Sequence, residues 1–147
     1  MFHLAQVNIA RASFPLADPA MHGFVSRLVE INTLAESSPG LVWRFKDDVE
    51  GFDDQTVFNM SVWVSVEALK EFTYRSTHRE LFRDRQQWFE HLPVPSLAMW
   101  WIAADHIPTV GEAKVRLDHI RDHGETAFAF TFRNLFPAPE VDRAQSA

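Results

Sequence analysis

Seven histidines, a single tyrosine and no cysteine set the chemistry open to this chain. Without cysteine there is no thiol nucleophile, no thiolate metal site and no disulfide. No Gly-x-Ser-x-Gly elbow and no glycine-rich phosphate loop occur, so nucleophilic catalysis has no visible signature. Acid-base chemistry is left, and His78 is its first candidate. Thr77 and Glu80 have the spacing of a capping box, which places His78 in the first turn of a helix. The positive end of a helix dipole favours neutral imidazole there, fit to act as a base or as a metal or haem ligand. The plainer reading is a helix-start histidine packed against Tyr74 or Trp88. Tyr74 has the same two readings, a group that orients a substrate oxygen or proton, or a core ring whose hydroxyl is satisfied.

A second set is polar and uncharged apart from one arginine: Gln6, Asn8, Asn59, Ser61 and Arg44. Amide and guanidinium donors stabilise negative charge as it develops on a carbonyl or enolate oxygen. Asn59 is therefore a catalytic candidate, and the others, with Trp43, Trp63 and Trp101 as aromatic walls, are substrate-binding candidates. A hydrogen-bonded network with no ligand is the competing reading. His119 and His123 stand four apart, as zinc ligands on one helix face do, but the residues between them include no glutamate in the metalloprotease position. No metal site is assigned. Asp47, Asp48, Glu50, Asp53 and Asp54 surround Gly51 without the alternation of a calcium loop and read as a solvated connection.

The elements that must position these residues follow from periodicity. Leu4 to Ile9 alternates and predicts a strand. Asp18-Pro19 starts a helix whose apolar positions run from Met21 to Ala35, and Ser37-Ser38-Pro39-Gly40 stops it. Leu41 to Phe45 and Thr56 to Trp63 predict a hairpin around the polar stretch from Lys46 to Gln55. Ser65 caps a short helix carrying Leu69 and Phe72. A further helix from Thr77 ends at Pro93 and Pro95, and Ser96 to Ile102 is a fourth strand. Thr109 and Glu112 open a last helix that Gly124 stops. Phe128, Phe130 and Phe132 then alternate as in a strand, which would extend the sheet or, preferably, clasp a partner subunit.

Strand, helix, strand, strand, helix, strand is the ferredoxin-like plan. The predicted fold is α+β: a ferredoxin-like βαββαβ core with a C-terminal helix and strand, one domain over residues 1–136 and a flexible tail over 137–147. Strand parity puts Gln6 and Asn8 on one face, with Asn59, Ser61 and Trp63 also sharing a face. Arg44 lies opposite Trp43, and Met99 and Trp101 lie opposite Trp100. The helix-covered side is expected to be apolar, leaving the polar set on the other face as the interior of a barrel formed by two copies.

Bulk properties narrow the partners. The 147 residues are 46% hydrophobic and carry a net charge of −6, which disfavours nucleic acid and anionic membranes. No apolar run approaches the roughly 20 residues that span a bilayer. The N-terminus lacks the basic and apolar regions of a signal peptide, and the expected location is the cytoplasm. Thirteen phenylalanines and five tryptophans against one tyrosine imply an aromatic pocket, a buried subunit interface, or both.

Several stretches resemble a bacterial domain family of unknown function. They are Leu4-Ala5-Gln6-Val7-Asn8, Asn59-Met60-Ser61-Val62-Trp63, Ser65-Val66-Glu67-Ala68-Leu69, Tyr74-Arg75-Ser76 with His78, Trp88-Phe89, and Pro108-Thr109-Val110 with Glu112-Ala113. The resemblance runs from about Leu4 to Phe132. The family is similar to the dimeric α+β barrel superfamily, which includes antibiotic-biosynthesis monooxygenases. It implies the fold and a homodimer. Some superfamily members work without a cofactor and others bind haem, so both remain open. Three functional readings stand: an oxygenase-type enzyme acting on an aromatic or polycyclic substrate, a haem protein of the same architecture, or a non-catalytic carrier or sensor.

Overall fold

The computed structural model describes residues 1–46, 53–78 and 88–139. Its strands are β1 (Phe2–Arg11), β2 (Leu41–Arg44), β3 (Thr56–Trp63) and β4 (Leu97–Ala103). The helices among the described residues are α1 (His22–Ser37), α2 (Val66–His78) and α3 (Val110–His123). All strand pairs are antiparallel, in the order β2-β3-β1-β4. This is the ferredoxin-like α+β arrangement, with α3 added behind it. No helix among the described residues is long and apolar enough to cross a membrane.

Local signals account for most boundaries. Asp18 Oδ1 accepts from the Ala20 N–H at 2.8 Å and caps a 3-10 turn over Pro19–Met21 that leads into α1. Ser65 Oγ caps α2 by accepting from the Ala68 N–H, and Thr109 Oγ1 caps α3 by accepting from the Glu112 N–H. Arg11 and Asp53 form a 2.8 Å ion pair that pins the end of β1 to the entry of β3. That pair, with the Thr56 hydroxyl, holds the Asp53 carboxyl down to about 2.

One turn has no slack. Gly40 lies at φ +90, and a Cβ there would stand 2.6 Å from the Ala68 Cβ and 2.9 Å from a Val64 methyl carbon. Gly40→Ala is therefore expected to destabilise by about 1–3 kcal/mol from backbone strain alone, with the clash adding to it. A urea unfolding midpoint equal to that of the wild type would contradict this.

The sheet has two unlike faces. On one, Ala5, Val7, Met60, Val62, Ala98, Trp100 and Ile102 are buried against Ala113, Leu117 and Ile120 of α3. Ile9, Trp43, Phe45 and Phe58 continue this apolar face and are only half-buried. On the other, Leu4, Trp63 and Met99 pack with Leu69 and Phe72 of α2, while Val57 joins Ala12, Met21, Phe24 and Trp88 beneath the first half of α1. Helices α1 and α2 meet where Ile31 and Leu34 pack on Phe72.

This reverses the expected assignment of faces. The polar set lies on the side covered by α1 and α2, and the side they leave is the wholly apolar one. The reason is α3. It needs an apolar bed, and the Ala-Val-Met-Trp face supplies one, so the polar residues remain under the other pair of helices.

Two further expectations change. α2 runs through Thr77 to His78 without a break, because no glycine or proline stands between Val66 and His78. His78 thus continues a helix begun at Val66 instead of starting one, and the helix expected beyond it falls mostly outside the described residues, as do most of the acids around Gly51. The phenylalanine ladder forms no continuous strand. Phe130 alone pairs with Met99, through two backbone hydrogen bonds of 2.7 and 2.9 Å. It is fully buried in its own chain, where it shields the β4 edge instead of clasping a partner.

Candidate functional site

Cross-strand register assembles the site. Gln6 pairs with Ser61 and Asn8 with Asn59 between β1 and β3, and Arg44 of β2 pairs with Ser61 from the other side. Residues two apart on a strand share a face, so Gln6, Asn8, Asn59, Ser61 and Arg44 form one polar strip across three strands. Apolar clusters close both ends of it, Trp63 with Leu69 and Phe72 at one end and Val57 with Phe24 and Trp88 at the other.

The strip is ordered by a chain of hydrogen bonds. Trp63 Nε1 donates to Ser61 Oγ at 2.8 Å. Gln6 Nε2 donates to the same Ser61 oxygen at 2.8 Å and to Asn59 Oδ1 at 2.7 Å. Trp63, Ser61 and Gln6 are buried, whereas Asn59 and Asn8 are exposed. The network therefore starts in the core and ends at a surface accessible to a ligand. With Oδ1 turned inward to Gln6, the Asn59 amide presents its Nδ2 hydrogens outward, and no hydrogen bond uses them among the described residues. Ser61 Oγ accepts twice, so both its lone pairs are occupied and only its proton remains to be donated.

The expected site residues separate on this geometry. Gln6, Asn59, Ser61 and Trp63 are joined directly, with Asn8 beside them. Trp63 is not a wall facing a ligand. It is fully buried, stacked on Phe72 at 5.2 Å between ring centroids, and acts by holding the Ser61 hydroxyl. Trp43 lies on the opposite face, paired with Val62 and in edge contact with Phe45, so it does not join the strip. Trp101 shares the strip's face but packs with Phe130, Phe132 and Phe136, and its Nε1 donates to the Phe136 carbonyl at 2.9 Å. Tyr74 is 58% exposed. Two residues from Phe72, it stands about 200° around α2 from the ring that meets Trp63. His78 lies in α2, and its side chain is outside those described.

Arg44 differs from its neighbours. Its side chain is 15% exposed and its Nη2 meets Glu36 Oε1 of α1 at 2.8 Å, an ion pair with no signal in the sequence. Arg44 and Lys46 together hold the Glu36 carboxyl below its ordinary range, chiefly through the Arg44 hydrogen bond.

Among the described side chains, which do not include that of His78, the strip offers haem no axial histidine. His3 is on the apolar face, to judge by its parity with Ala5 and Val7. His106 meets Glu112 at 2.6 Å and His119 meets Thr126 at 2.7 Å. His22, His91 and His123 are exposed, and no described histidine shares the strip. The described residues contain no group of three or more potential metal-ligating side chains.

Comparison with known proteins agrees with this architecture. A family model described as a domain of unknown function (DUF3291) matches residues 3–146. No curated protein matches the chain. Among solved structures, a protein of unknown function from Nitrosomonas europaea superposes with a TM-score of 0.54 at 16% identity, over 74% of this chain and 97% of that one. A putative antibiotic biosynthesis monooxygenase from Chloroflexus aurantiacus gives 0.51 at 17% identity, over 71% and 96%. SnoaB from Streptomyces nogalater, described as a cofactor-independent oxygenase, gives 0.50 at 13% identity, over 73% and 97%. At these identities the likeness is one of fold.

Proposed function

The chain belongs to the DUF3291 family of domains of unknown function, and on that premise we propose that it is a small-molecule enzyme of oxygenase type acting on an aromatic or polycyclic substrate at the polar strip. The observation that carries this reading is the ordered chain from Trp63 through Ser61 and Gln6 to Asn59, which ends in an outward amide donor between two aromatic clusters. A phenolic or enolic oxygen placed against Asn59 Nδ2 would have its anion stabilised by a preorganised donor. The anion is the electron-rich form that reacts with dioxygen. In the reaction proposed, a ring C–H para to the phenol becomes a carbonyl, one oxygen atom of O2 enters the product, and the other leaves as water with the two hydrogens lost. The fold likeness to a cofactor-independent oxygenase and to a putative monooxygenase supports this choice among small-molecule chemistries.

We assign the half-buried apolar patch of Ile9, Trp43, Phe45 and Phe58 to a second copy of the chain, and the homodimer to the cytoplasm. Aromatic area of this kind is enriched at interfaces. Sedimentation of the wild type as a dimer and of Phe45→Glu as a folded monomer is expected, and a monomeric wild type would remove the second copy.

The catalytic reading is tested by oxygen uptake with purified protein and polycyclic phenols such as 1-naphthol and anthrone-type substrates. One O2 consumed per quinone formed is the expected stoichiometry. Saturable binding with no oxygen uptake would leave a carrier or sensor.

A further inference from the structure

Arg44 is held by only part of its hydrogen-bonding edge. The guanidinium is planar and presents Nε–H and Nη2–H side by side, a fork that fits the two oxygens of one carboxylate. Glu36 Oε1 takes Nη2 at 2.8 Å. Nη1 reaches the Phe45 carbonyl at 3.4 Å, a long contact. Nε is buried and has no partner among the described residues. Leaving a buried donor unpaired is costly, and here it is a donor on a cation.

The same Glu36 oxygen also meets Lys46 Nζ, at 3.4 Å. One carboxylate thus serves two cations and satisfies neither fully. They border a cavity of about 430 Å³ lined by Glu36, Leu41, Val42, Trp43, Arg44 and Lys46. Its position links it to the polar strip, because Arg44 is the register partner of Ser61 and shares its face.

We infer that Arg44 and Lys46 form an anion subsite, and that the molecule taken at the strip is an aromatic acid whose carboxylate replaces Glu36 on the Nε–Nη2 edge of Arg44. This rests on the reading of the strip as a small-molecule site. Glu36 is half-exposed and can swing to water while keeping Lys46. The incoming carboxylate would engage both hydrogens of the fork and satisfy the buried Nε.

The test is calorimetric titration of the full chain with 2-naphthoate and with its neutral counterpart 2-naphthamide. Wild type is expected to bind the acid about tenfold or more tightly than the amide, as one added charge-assisted hydrogen bond implies. Arg44→Met is expected to abolish that preference, so that acid and amide bind alike. Glu36→Gln, a surface change that does not threaten the fold, is expected to tighten naphthoate severalfold because the resident competitor has lost its charge. Equal binding of acid and amide by wild type, or a preference that survives Arg44→Met, overturns the anion subsite and leaves the strip intact. So does naphthoate binding that Glu36→Gln fails to tighten. Binding of neither compound overturns both the strip as a ligand site and the subsite.

Discussion

Asn59→Ala is expected to lower turnover about 100-fold or more, the usual cost of removing one donor from a site that stabilises an oxyanion. The fold should hardly notice. Asn59 is exposed and stands at the outer end of its network, so its loss leaves Gln6 still bonded to Ser61. The thermal midpoint should stay within a few degrees, as for surface changes of under about 1 kcal/mol. Initial rates of oxygen uptake beside a thermal melt separate the two effects. Unchanged turnover would show that Asn59 does not touch the reacting oxygen. A loss of turnover that tracked a collapse in midpoint would make it structural.

Trp63→Ala is expected to have the opposite profile, a loss of about 3–5 kcal/mol in stability. The side chain is fully buried among Leu4, Leu69 and Met99 and stacks on Phe72. Its removal opens a cavity between α2 and the sheet and takes away the donor to Ser61. Against a total stability of about 5–15 kcal/mol, that is a large share. Guanidinium unfolding measures it, and a change below about 1 kcal/mol would contradict the packing described. Trp63→Phe divides the two contributions. It keeps a ring for Phe72, loses the N–H, and is expected to reduce turnover more than its modest destabilisation explains, because Ser61 is then held by Gln6 alone.

The sequence made the grouping of the polar residues legible, but not their side. A period of two separates Gln6 and Asn8 from Ala5 and Val7, and register then joins them to Ser61 and Asn59. Which set lies under α1 and α2 depends on a third helix that arrives from the far end of the chain. Large rings occur on both faces, with Trp63 and Trp101 on one and Trp43 and Trp100 on the other, so apolarity alone could not decide it. The hairpin of β2 and β3, the capping residues Asp18, Ser65 and Thr109, and the stop at Gly40 were all local signals and all readable.

His78 shows the limit of a short motif. Thr77 and Glu80 have capping-box spacing, yet nothing breaks the helix begun at Ser65, and propagation of an existing helix is easier than a new nucleus. Phe128, Phe130 and Phe132 show another. Their alternation suits a strand, but Phe128 is in a turn where its ring meets Arg116, 3.8 Å from the guanidinium carbon, and only Phe130 reaches the sheet. The Arg44–Glu36 pair left no trace in the sequence, because its partners meet only when α1 packs beside β2.

On the proposed reading a ligand enters on the polar, helix-covered side of the sheet and meets Asn59. Its most direct test is a titration of 15N-labelled protein with 1-naphthol, following the side-chain amides of Asn59 and Gln6 and the indole N–H groups of Trp43 and Trp63. Saturable shifts of the Asn59 and Gln6 amides and the Trp63 indole, with the Trp43 indole unmoved, are predicted. Movement of the Trp43 indole with Asn59 unchanged would put the ligand away from Asn59 and contradict the proposed site.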